Sequence, residues 1–123
     1  MEYPEFLQPV LSRITGGFPK TIDCGKGWWP IIADLDIELS EIDPDYSVYQ
    51  VKEKFGNLRY YYAPSFPELA KQMNDLVSVY EFKCALTCEA TGNRGVLMIR
   101  NGLYKTLNES FAGQNGWEIV ESL

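Results

Sequence analysis

The chain predicts a small α+β domain. Three observations predict it: two tight-turn signals flanked by β-branched and aromatic residues, long stretches with apolar residues at helical spacing, and a length that suits one core. At 123 residues a single domain spanning 1–123 is expected rather than two. The architecture that follows is two β-hairpins forming an antiparallel sheet packed against two to three helices.

The elements can be justified in order. Residues 4–14 set Phe6, Leu7, Val10, Leu11 and Ile14 at helical spacing, and Pro9 permits only a short or late-starting helix. Residues 15–27 read as loop, with Gly16, Gly17, Pro19 and the run Cys24, Gly25, Lys26, Gly27. A glycine-rich loop before a helix invites a phosphate-cradle reading, but the spacing fits neither GxxxxGK[ST] nor GxGxxG, so a plain helix entry is expected. The helix is placed at 28–42, with Pro30 in its first turn and a stripe of Trp28, Ile31, Ile32, Leu35, Leu39 and Ile42.

Residues 48–63 read as a hairpin turning on Gly56 and Asn57. With Phe55 opposite Leu58, alternation puts Tyr49, Val51, Glu53, Phe55, Leu58, Tyr60 and Tyr62 on the core face. Val48, Gln50, Lys52, Lys54, Arg59, Tyr61 and Ala63 take the other. Glu53, on the apolar side, is expected at the rim or bonded to a tyrosine hydroxyl, since burial without a partner is costly. Ser65 and Glu68 form a capping-box pattern opening a helix with Leu69, Met73, Leu76, Val77 and Tyr80 inward. Phe55, Leu58, Tyr60, Leu35, Met73 and Leu76 are expected to share one core. After a turn-rich connection at 88–95, Asn101 and Gly102 mark a second hairpin over 96–106. A helical turn near 107–112, a flexible 113–116 and a last edge strand or anchored Trp at 117–120 complete the chain.

Charge is distributed unevenly. A net charge of −6 disfavours direct nucleic-acid binding, which needs a basic footprint. Between Lys26 and Lys52 there is no basic residue, and Asp34, Asp36, Glu38, Glu41, Asp43 and Asp45 form an acidic pole. Lys52, Lys54, Arg59 and Tyr61 share one hairpin face and are the candidate partner-binding residues. The competing reading is that they pair with the acidic helix of the same chain.

The chemistry available is limited. Without histidine the commonest general base and the Ser-His and Cys-His pairs are missing, which argues against an enzyme, and no catalytic residue or cofactor is assigned. Cys24, near Lys26 and a helix start, has the setting of a reactive thiol, though an ordinary cysteine is the expected outcome. Asp34, Asp36 and Glu38, spaced two apart on a helix, do not converge on a cation, so no metal site is assigned. Three scattered cysteines suggest free thiols. With no apolar run of about 20 residues and no basic-then-apolar start, a cytoplasmic protein without membrane association is expected.

Four motifs add a resemblance. C-G-x-G-W-[WF] at 24–29, Q-V-K-E-K-F-G-x-L-R-[YF]-Y at 50–61, C-E-x-x-G at 88–92 and T-L-x-E at 106–109 resemble a family of small uncharacterised bacterial and phage or prophage proteins. The resemblance carries no activity to transfer. It implies a C-terminal zinc-finger-like segment, C-x-x-C-G then T-L-C-x-x-H, whose ligand positions fall here on Cys88, Thr91, Asn108 and Phe111. Only one of the four is a ligand type, so 88–112 is expected to be a degenerate finger without metal. Phe111, Trp117, Leu97 and Leu107 are the expected packing replacements.

Three functions follow as expectations. The first is a non-catalytic interaction protein, phage- or prophage-associated, that binds a protein partner in a bacterial host cell. The alternative is an acidic inhibitor of a host nucleic-acid-binding defence system, with the acidic pole as phosphate mimic. An enzyme is the disfavoured third.

Overall fold

The computed structural model describes residues 2–120. Among them the α+β class is borne out, with four α-helices and two three-stranded sheets. Helix α1 (Gln8–Arg13) follows a 3-10 turn at Glu5–Leu7, and Pro9 stands in its first turn, where a missing N–H costs nothing. Strand β1 (Ile22–Asp23) is followed by a 3-10 turn at Lys26–Trp28 and by α2 (Trp29–Ile42), with Pro30 again in the first turn. Strands β2 (Ser47–Lys54) and β3 (Asn57–Ala63) form the first hairpin, and α3 (Ala70–Ala85) follows a 3-10 turn at Pro67–Leu69. The second hairpin, β4 (Val96–Arg100) and β5 (Leu103–Leu107), leads to α4 (Glu109–Ala112) and β6 (Glu118–Ile119).

Each hairpin founds its own sheet. The first has the order β1-β2-β3, with β1 parallel to β2, and the second has the order β5-β4-β6. Their cores are also separate. Trp28, Ile32, Leu35 and Leu39 of the α2 region pack with Val48, Val51, Leu58 and Tyr60 of the sheet and with Met73, Val77 and Tyr80 of α3. Cys88, Met98, Leu107, Ala112 and Trp117 make the smaller core.

The first hairpin corrects the expected register. Its two-residue turn is Phe55 and Gly56, at φ 56° and 82°, and Asn57 pairs with Lys54 instead of lying in the turn. Phe55 is 66% exposed and lies outside the core. Moving the turn by one residue shifts the pairing by two, which preserves the faces, so Val51, Leu58 and Tyr60 are buried as expected. A register break between Val48 and Gln50 then turns Val48 inward and leaves Tyr49 exposed, reversing both assignments. Glu53 meets no tyrosine; it accepts from the Gly56 N–H at 2.8 Å and pairs with Lys105 at 3.5 Å.

Ser65 does not cap a helix. Its hydroxyl and its amide donate to Asp43 at 2.5 and 2.7 Å, tying the entry of α3 to the end of α2. In the smaller core Trp117 and Leu107 are buried as expected, whereas Phe111 and Leu97 are exposed and Met98, Cys88 and Ala112 take their place. The segment expected to be flexible forms a 3-10 turn, Gly113–Asn115, closed by Gly116 at φ 86°.

Candidate functional site

The first sheet buries one face and leaves the other open. On β2, Gln50, Lys52 and Lys54 alternate with buried Val51, and on β3, Arg59 and Tyr61 alternate with buried Leu58 and Tyr60. Pairing sets these residues in rows: Gln50 beside Tyr61, Lys52 beside Arg59, then Lys54 beside Asn57. The four candidate binding residues are therefore brought together on one surface. Lys54 and Tyr61 are exposed, and Lys52 and Arg59 are half-buried.

None of these cations joins an ion pair among the described residues. The four pairs present are Arg13–Asp36, Lys71–Asp75, Lys105–Glu53 and Lys105–Glu89. Pairing with the chain's own acidic helix is thus not what holds this face. Arg59 Nε is buried with no hydrogen-bond partner among the described residues. The anion it influences is Glu81, whose carboxyl burial holds above its ordinary value, countered only in part by Arg59 and by the Tyr60 amide. At the far end of the face the Phe18 ring, reached from the 15–21 loop, lies 6.1 Å from that of Tyr49 at 52°. With Gln50 and Tyr61 they line a cavity of about 400 Å³. Phe18 and Tyr49 were missed by sequence reading, because Phe18 sits in a loop without periodicity and Tyr49 is turned outward by the bulge.

The acidic pole does not survive as a unit. Asp34, Glu38, Glu41 and Asp45 are exposed, but Asp36 and Asp43 are 4% and 2% exposed. Asp36 Oδ1 takes the Arg13 Nε–H at 2.8 Å and the Tyr46 hydroxyl at 2.5 Å, and Tyr46 shares a further 2.8 Å hydrogen bond with Tyr60. Arg13 also donates to the carbonyls of Pro44 and Tyr46 and stacks 4.2 Å over the Tyr46 ring. A buried carboxylate is tolerated only with such partners. Burial pushes the Asp43 carboxyl up, but its hydrogen bonds with Ser65 outweigh that and hold it below its ordinary value.

The glycine loop is spent on a junction. Gly27 donates its N–H to the Glu89 carbonyl at 2.7 Å, Gly25 donates to the Glu89 carboxylate at 2.8 Å, and Trp28 Nε1 donates to the Thr87 carbonyl at 2.8 Å. A Cβ on Gly27 would stand 2.2 Å from the Cys88 oxygen, and one on Gly25 2.3 Å from the Glu89 oxygen. The motif at 24–29 is therefore shaped to receive the turn at 88–92. The other motifs meet it there, since Thr106 Oγ1 donates to the Gly56 carbonyl at 2.7 Å and Lys105 bridges Glu53 and Glu89.

The thiols follow their surroundings. Burial first, and the nearby charge of Glu89 next, push the Cys24 thiol well up, which removes the reactive-thiol reading. Cys84 is pushed up to about 12, chiefly by burial. Burial acts upward on Cys88 too, but the Thr91 hydroxyl and amide and the Asn108 and Ala90 amides turn toward its sulfur and lower it. Three of the four positions that the resemblance equates with ligands thus adjoin, held by hydrogen bonds. Asn108 caps α4 through the Ser110 and Phe111 amides, while Phe111 points to solvent. Among the described residues no three His, Cys, Asp or Glu side chains converge as metal ligands, and no helix is long and apolar enough to cross a membrane.

Comparison with protein-family models, with curated proteins and with solved structures finds no match. What the fold and the site define is a class: a small α+β protein with an open sheet face carrying cations and aromatic rings.

Proposed function

We propose that this is a non-catalytic interaction protein that docks an acidic protein partner on the face formed by Lys52, Lys54, Arg59 and Tyr61. One observation carries the reading: three cations share a face with exposed aromatic rings and none is neutralised by an ion pair among the described residues. Unneutralised charge of this kind steers an oppositely charged partner, and Tyr supplies contact area at low entropic cost. The free thiols suit a reducing cytoplasm, and the motif resemblance suggests a bacterial, phage or prophage setting.

The test is the double reversal K52E/K54E, which leaves half-buried Arg59 in place beside Glu81. Expected are an unchanged far-UV spectrum and melting curve, together with loss of a captured partner that the wild type retains at low salt and releases at high salt. Capture of the same partner by the folded variant would overturn the reading. The phosphate-mimic alternative is weaker, because burial of Asp36 and Asp43 leaves four of its six acids outside.

A further inference from the structure

Resting on that docking face, we propose that its ligand is an extended acidic peptide: one aromatic residue seated in the cavity between Phe18, Tyr49 and Tyr61, with a carboxylate at each of the next two alternate positions. The rows of the sheet give the spacing. The cavity is at the Gln50–Tyr61 row, the Lys52–Arg59 row comes next, and Lys54 stands one row beyond. Rows two residues apart on a strand are separated by about 7 Å, and an extended peptide repeats its same-side side chains at that interval.

Each part of the peptide has a matching feature. A cavity of about 400 Å³ whose walls are three rings and the Gln50 amide suits an aromatic side chain. The row of Lys52 and Arg59 sets two cationic residues opposite one another for the first carboxylate, and Lys54 stands one row beyond for the second. A nucleic acid strand could also use rings and cations, but the net charge of −6 repels a long polyanion far more than a peptide with two carboxylates.

Fluorescence anisotropy with two labelled peptides of equal composition tests the spacing. Ser-Phe-Ser-Glu-Ser-Glu-Ser matches the rows, and Ser-Phe-Glu-Glu-Ser-Ser-Ser does not. The matched peptide is expected to bind at least about tenfold tighter, a difference that K52E/K54E abolishes while the variant keeps its wild-type melting curve. Y49A/Y61A is expected to erase the advantage of Phe over Ala in the matched peptide and to leave the salt dependence in place. Equal binding of both peptides, still lost in the reversal variant, would overturn the spacing and leave the docking face standing. Binding indifferent to the reversal would sink both. Failure of both peptides to bind, or tighter binding of labelled oligothymidine, would overturn the peptide as occupant.

Discussion

The two cores of this chain are held by different means. In the body, residues 2–86, twenty buried apolar or aromatic side chains interlock between α1, α2, α3 and the first sheet. The C-terminal unit, residues 87–120, has five, together with partly buried Val96. Segments below about 40 residues seldom fold alone without a disulfide, metal or partner. Here the larger region serves as that partner, through Gly25, Gly27, Trp28 and Gly56. Where apolar burial is scarce, position is fixed by directional hydrogen bonds at close backbone approach.

Removing the element shared by both regions should have the largest effect. Trp28→Ala opens a cavity in the main core and deletes the bond to Thr87, so a loss of about 3–5 kcal/mol is expected in urea unfolding. A change below about 1 kcal/mol, the range of tolerated surface changes, would mean that the indole is not a common support. Next in size is Gly27→Ala, which forces a methyl against the Cys88 carbonyl and should cost about 1–3 kcal/mol. Hydrogen exchange should show residues 87–120 losing protection while α2 and α3 keep theirs. Equal losses everywhere would mean that the two regions unfold as one.

A smaller effect is expected inside the body at Asp43. A carboxyl held below its unfolded value contributes stability above about pH 3.9 and loses it as pH falls through the folded value. Ser65→Ala should therefore destabilise by about 0.5–1.5 kcal/mol near neutrality, with the difference shrinking in acid. A difference constant from neutrality into acid would remove the charged hydrogen bond from the explanation. The smallest effect belongs to Phe55→Ala, within about 0.5 kcal/mol, because the ring is exposed in the turn. Loss of several kcal/mol would restore Phe55 to the core and the turn to Gly56 and Asn57.

Half of the candidate site was legible in the sequence. Lys52, Lys54, Arg59 and Tyr61 share a face under either turn placement, because strand alternation survives a pairing shift of two. The cavity was not, since it needs a bulge and a ring from a distant loop. The acidic pole was legible only as composition.

The sequence by itself determined the α+β class, the apolar stripes of α2 and α3, the turn at Asn101 and Gly102 and the common face of the cations. All rest on short-range periodicity or local backbone preference. Only the tertiary structure decided that Asp36 is buried, because the Arg13 that neutralises it comes from another helix, and that Asp43 is spent on Ser65 across the body. It also placed the first turn at Phe55 and Gly56. There the second hairpin packs so closely that a Cβ on Gly56 would stand 2.5 Å from Leu97, a contact between residues too far apart in sequence for any local pattern to record.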